Sequence, residues 1–354
     1  LNYIIFSRIA FMMFVLSIIL LIYTQFWGIK INEGRRWLKI PILNFTIQTS
    51  DFAKLFLYIY ISKLLSQNQD QLQDFKKGYL KILIPVLIIC FLIAMSNLSN
   101  AVITFTSSLI LLYIGRAKLK HILLTVTIAI IPLIILVSLA FLKHQAYKEN
   151  QTNTTYSIPV FNRLNIWVNR IHNFIFKEAP QRDDYQMVQA KIAIANGGLL
   201  LGLGPGNSQQ KNFLPQAYND FVFAIIIEEY GVVGGFIILF LYLAFLFRCI
   251  LIINRCKYMF GTFLAIALSF TIILQAAANI LVCVDLFPVT GVTLPLISLG
   301  GTSFMFTSLA IGIILSIDRF NDLPEVATSE ISSENKEINK EKEITKNNNI
   351  LQSI

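Results

Sequence analysis

Apolar residues follow one another along this chain in long unbroken stretches, with most polar residues collected between them. Eight stretches stand out, at about 4–27, 44–65, 80–95, 98–114, 121–142, 219–247, 258–284 and 296–317. Stretches of roughly 18 to 25 apolar residues carry a helix across a hydrocarbon core of about 30 Å. The pattern therefore predicts an all-α polytopic membrane protein with eight transmembrane helices. A membrane β-barrel would alternate apolar and polar residues over about 10 positions, and no such alternation is present.

Two connections are long. One is a loop over 143–218 and the other is the tail after 320. The tail, 321–354, mixes Glu, Lys, Asn and Ser with few large apolar side chains, so it cannot bury enough surface to fold and is expected to be disordered. The chain thus reads as one transmembrane domain, 1–320, followed by a tail.

Composition strengthens the membrane reading and narrows the partners. Hydrophobic residues make up 55% of the chain and charged ones only 14%. The net charge of +9 does not point to nucleic acid, because Lys and Arg cluster at the ends of apolar stretches, where topology signals and headgroup anchors belong. Cys90, Cys249, Cys256 and Cys283 make no CxxC pair, and His121, His144 and His172 are dispersed, so neither a zinc site nor a disulfide framework is indicated.

Orientation follows from the basic residues of alternate short loops. Lys76, Lys77, Lys81, Arg116, Lys118, Lys120, Arg248, Arg255 and Lys257 fall on one side; Lys30, Arg35, Arg36 and Lys39 fall on the other. The richer side, with the tail, is assigned to the cytoplasm. The long loop and the approach to Asp220 then face outward.

The segment from Gly197 to Gly231 holds the most candidate chemistry: a glycine-rich loop leads into an apolar helix, with Asp220 at the junction. In the first turn of a helix, Asp220 reads either as a cap or as a functional acid beside a backbone that glycine lets a ligand approach. That placement predicts a carboxyl below its usual pKa. Glu228 would lie about 12 Å deeper and about 80° around the helix, a second candidate; Glu229 would lie on the opposite face. Asp51 and Lys54, three apart at the start of a span, read either as a self-neutralising pair or as part of a site. Lys30, Arg35, Arg36 and Lys39 surround Trp37, which suits headgroup anchoring or recognition of a lipid phosphate; Arg163, Trp167 and Arg170 offer the same choice. The segment 288–303 combines two prolines with three glycines at a membrane boundary, a break tolerated only under protein or beside water.

Three of these segments, in order, resemble motifs of the SEDS (shape, elongation, division and sporulation) family. GRRWLKI with QTSDFAKL is similar to the family's GxRRW and Q-P-S-E-x-x-K. YQMVQAKIAIANGGLLLGLGPGNSQQKNFLPQAYNDFVFAIIIEEYG is similar to its central motif, and LFPVTGVTLPLISLGGTS to its C-terminal signature. GNS-QK-x-FLP favours the division branch over the elongation branch. The resemblance implies a glycosyltransferase of the bacterial cytoplasmic membrane that polymerises lipid II outside the membrane at the septum. Its product would grow on an undecaprenyl-diphosphate carrier beside a class B penicillin-binding protein and other division proteins. The family's essential acid falls on Asp220, and its Glu–Lys pair on Asp51 and Lys54.

Asp220 would act as base or as ligand of a divalent cation such as Mg or Mn. Arg35, Arg36, Arg163 and Lys211 would meet the diphosphate. A lipid II transporter is the rival activity, and a non-catalytic division scaffold is a third. The chain departs from the family at Asn97, where an acid is usual, and at Thr290, where many relatives carry Lys. The family has ten spans, and its two earliest helices find no counterpart before GRRW. With Leu1 in place of Met, this leads us to expect an incomplete N-terminus.

Overall fold

The computed structural model describes residues 3–31, 34–40, 45–150, 167–168, 170–171, 182–215 and 217–321. Within them the chain forms α1 (Ile4–Trp27), strands β1 (Ile29–Ile31), β2 (Gly34–Ile40) and β3 (Phe45–Gln48), and α2 (Thr49–Asn68). A π-helix (Phe75–Tyr79) leads into α3 (Leu80–Ala94), followed by α4 (Leu98–Ile114) and α5 (Leu119–Asn150). Then come α6 (Arg182–Gly197), α7 (Val222–Arg255), α8 (Met259–Cys283) and α9 (Gly301–Asn321). Six of these helical segments are long and apolar enough to cross a membrane; α4 is shorter, and α2 carries Asp51, Lys54 and Lys63. Each expected stretch overlaps a helix, although not every one is a single straight span. The tail lies outside the described residues.

Helix α2 is the centre of the bundle, packed against α1, α3, α4, α8 and α9. It is buried on nearly every side from Thr49 to Leu65, which explains why its sequence carries no polar stripe. The polar groups it does bury are matched by its neighbours: Tyr58 Oη and Ser107 Oγ of α4 are 2.5 Å apart.

Three local features differ from the sequence expectation. The connection between α1 and α2 holds an antiparallel sheet in the order β1–β2–β3, with Trp37 opposite Gln48 and Lys39 opposite Thr46. In β2 the period of two sets Trp37 and Lys39 on one face and Arg36 and Leu38 on the other. Part of the long connection is helical: α5 continues to Asn150, and α6 packs on α7.

The third difference lies in α7, which folds back on itself. Gly231 breaks the helix at φ 71°, ψ −178°. A Cβ at Gly235 would stand 3.3 Å from the Phe223 ring, although twelve residues of straight helix would separate them by about 18 Å. Both legs are tied to the connection after α8: Ser298 Oγ donates to Asn219 O (2.5 Å), and Tyr242 Oη donates to Pro295 O. The first leg, 222–230, therefore runs away from Asp220 toward an apex at Gly231. The second, 232–255, returns over about 36 Å, enough for one crossing.

The glycine-rich loop clasps this apex. The break frees carbonyls that a continuous helix would use, and they accept instead from the loop: Leu203 N to Glu228 O and Gly204 N to Glu229 O, both 2.9 Å. Val232 N returns a bond to Gly198 O at 3.1 Å. Gly202 sits so close that a Cβ there would meet the Glu229 carbonyl carbon at 2.4 Å.

Candidate functional site

Four connections meet at one end of the bundle, and Asp220 lies among them. Its backbone is fixed by α8, where Asn279 Nδ2 donates to both Asp220 O and Val292 O, each at 2.7 Å. Those bonds hold residue 220 outside the helix, which starts at Val222 with Phe221 as its cap residue. Asp220 is thus neither the cap nor part of the first turn, contrary to the sequence expectation. Tertiary hydrogen bonds to its carbonyl have replaced the helical one.

Two arginines approach it. A Cβ at Gly291 would stand 3.6 Å from Asp220 Oδ2 and 3.8 Å from Arg36 Nη1, so all three groups share one small space. Arg36, on β2, donates from Nε to Ser96 O (2.9 Å), and Arg170 donates from Nη1 to Val289 O (3.2 Å). The sheet, the α3–α4 turn, the long connection and the α8–α9 connection therefore converge here. Burial raises the Asp220 carboxyl from its ordinary 3.8 to about 6, while the positive charges of Arg36 and Arg170 pull it back down. The expected depression does not occur, because desolvation outweighs both guanidinium groups. The outcome suits a base working near neutral pH.

The other sequence candidates divide. Asp51 and Lys54 form a buried ion pair at 2.8 Å, each side chain 7% exposed, and Asp51 Oδ2 has no hydrogen-bond partner. Glu228 is fully buried and already engaged: it accepts from Ser208 Oγ, from Asn196 Nδ2 (3.3 Å) and from Gln210 N (3.3 Å). It sits three residues before the break at Gly231, beside the glycine-rich loop rather than beside Asp220. The fold-back puts it near the apex, where it holds the clasp. Lys211 Nζ donates to Gly206 O within that loop. Arg163 lies outside the described residues, as does the side chain of Arg35. Asn97 caps α4, accepting from Ser99 N (3.1 Å) and Asn100 N (3.4 Å), so the amide does there what a carboxylate would.

Asn279, Gln275 and Ser298 are the residues sequence reasoning missed. Asn279 and Gln275 are spaced by four inside an apolar span, and polar side chains at that depth are themselves a signal. Gln275 Nε2 donates to Thr293 O at 3.1 Å, and with Asn279 it supports the broken segment that faces Asp220. Two guanidinium groups flank the single carboxylate, and among the described residues no three His, Cys, Asp or Glu side chains gather.

Comparison with known proteins agrees with this architecture. A solved chain from a peptidoglycan synthase complex of polymerization and crosslinking superposes with a TM-score of 0.68 at 21% identity, covering 92% of this chain and 84% of that one. The stage V sporulation protein E of Bacillus subtilis strain 168 is 30% identical over 298 residues, 83% of this chain and 74% of the relative. The probable peptidoglycan glycosyltransferase FtsW of Aliivibrio salmonicida is 31% identical over 308 residues, 86% of this chain and 70% of the relative. The cell cycle protein family of FtsW, RodA and SpoVE matches residues 1–323, and the chain belongs to it.

Proposed function

We propose that this membrane protein is a peptidoglycan glycosyltransferase that joins lipid II units into β-1,4 glycan strands, in the manner of the division enzymes it resembles. The observation that carries the reading is the partly buried Asp220, raised to about 6, sharing one space with Arg36 where four connections meet. The ionised carboxylate takes the proton from the 4-hydroxyl of an acceptor GlcNAc. That oxygen attacks the anomeric carbon of the donor MurNAc, and the bond to the diphosphate breaks with inversion. The electron pair leaves with undecaprenyl diphosphate, whose charge Arg36 and Arg170 meet. Asp51, Lys54 and Glu228 act through position: the first two at the head of the central helix, the last by clasping the α7 hairpin.

The charge asymmetry of the loops supports an active end facing outward, where a class B penicillin-binding protein can cross-link the product. The division-type motif supports a place at the septum. No step is assigned to a metal ion.

One observation favours the transporter reading: Tyr58, Ser62, Thr104, Ser107, Ser108 and Thr271 make a buried polar seam among α2, α4 and α8. Thr104, Ser107 and Ser108 donate to carbonyls of their own helix, and Thr271 does the same. The seam contains no acid or basic side chain, and it reads as helix-to-helix adhesion. Asp220→Asn separates the two activities. In a purified complex fed lipid II, glycan synthesis should fall at least a hundredfold. Full-rate synthesis by the variant would overturn the assignment.

A further inference from the structure

A second basic centre lies at the opposite end of the bundle. There the π-helix Phe75–Tyr79 packs its rings on the start of α5, with Phe75 5.2 Å and Tyr79 5.3 Å from the His121 ring. Tyr79 Oη and Thr125 Oγ1 close the contact at 2.7 Å. Lys76 follows Phe75 and Lys120 precedes His121, so the ring contact brings the two lysine-bearing segments together, and Lys76, Lys77, Lys118 and Lys120 are all exposed. π-helices are rare and collect at functional positions.

Arg116 adds a second oddity beside them. Helix α4 ends in a turn where Ala117 N donates to Leu112 O and Arg116 N to Tyr113 O, both 3.1 Å. The left-handed residue of such a turn is usually glycine. Here it is the exposed Arg116, at φ 72°, although Gly115 stands next to it. The turn itself gains nothing from a side chain in that conformation, and the exposed guanidinium is available to a ligand.

The surroundings say what the ligand is. Exposed Phe75, Leu119 and Leu123 border the five cations, and Asp70 and Asp74 offset only two of them. A soluble anion has no use for an apolar border, whereas a phospholipid matches both parts. We propose that Lys76, Lys77, Arg116, Lys118 and Lys120 bind the phosphodiester headgroup of an anionic phospholipid, whose acyl chains lie along Leu119 and Leu123. Its placement in the inner leaflet rests on the orientation given above; the lipid contact does not.

The test uses the full chain in nanodiscs of phosphatidylcholine with increasing phosphatidylglycerol, reading retained lipid by native mass spectrometry, without any activity assay. Lys76→Gln with Lys77→Gln and Lys120→Gln should weaken phosphatidylglycerol retention about tenfold or more. A control of equal charge loss on the same side, Arg248→Gln with Arg255→Gln and Lys257→Gln, should change it less than about twofold. Arg116→Gly should keep or raise Tm, since glycine suits the turn, yet weaken retention about threefold. Equal loss in both triple variants would reduce the site to diffuse attraction and overturn the proposal. So would unchanged retention in Arg116→Gly, or displacement of the lipid by millimolar glycerol phosphate.

Discussion

Replacing Arg36 by Gln should move the pH dependence of glycan synthesis, because Arg36 opposes the desolvation that raises Asp220. Asp220 Oδ2 and Arg36 Nη1 each lie within 3.8 Å of the point a Cβ on Gly291 would occupy. They therefore stand no more than about 7 Å apart, where a unit charge pair at an effective dielectric of about 20 is worth roughly 2 kcal/mol, or about 1.5 pH units. The sign is fixed by chemistry. The base is the ionised form, so activity is lost as pH falls through the carboxyl's pKa, and removing a neighbouring cation raises that pKa. With the wild-type value at about 6, the rate should be near its plateau at pH 7.5 and about tenfold lower at pH 5. In Arg36→Gln the same acidic limb should stand near pH 7.5, if the full charge is felt. The assay is initial-rate polymerisation of saturating lipid II by the purified protein with the class B penicillin-binding protein proposed as its partner, from pH 5 to pH 9. Saturation separates the limb from weaker diphosphate binding, which raises KM. An acidic limb that stays in place, or moves to lower pH, would refute the role of Arg36 and weaken that of Asp220.

Asp220→Asn should abolish synthesis yet stabilise the protein. The folded carboxyl holds its proton more tightly than the unfolded one, so stability is highest below about 4 and falls as pH rises toward 6; at pH 7.5 the neutral variant should recover about 1 to 3 kcal/mol, read as a higher Tm. Gly231→Ala should cost about 1 to 3 kcal/mol from a backbone conformation open mainly to glycine, and more because its Cβ would meet the Leu200 carbonyl carbon at 2.9 Å; Gly312→Ala, inside a helix where the Cβ meets nothing within 4 Å, is the control that should hold or raise Tm in thermal unfolding. Lys54→Met should leave the Asp51 charge buried without its cation, losing about 3 to 5 kcal/mol, whereas Lys54→Met with Asp51→Leu should recover most of that loss; equal Tm for the single and double variants would contradict the pairing.

The apolar helices and the order of the family motifs were legible in the sequence because each is a local property. Hydropathy over twenty residues reports partition into lipid whatever the helices pack against, so each expected stretch overlaps a helix. The resemblance singled out Asp220 on residue types alone. What stayed hidden depended on segments far apart in the chain. A single glycine inside an apolar run reads as a minor interruption, and nothing near Gly231 reveals that Phe223 folds back onto Gly235. Without that hairpin, Glu228 seemed a deeper acid when it is the anchor of a clasp to Ser208 and Gln210.

The protonation of Asp220 shows the same division. The sequence by itself determined that a carboxylate meets an apolar helix at a loop junction, with arginines somewhere among the polar connections. Local rules made it a helix-end acid, held low by the dipole. Only the tertiary structure decided its environment. Asn279 holds its backbone outside the helix, and the surrounding segments remove water from it. Arg36 and Arg170 are brought close enough to pull against that burial without overcoming it. Desolvation is a sum over everything that packs around a group, and no window of sequence contains it.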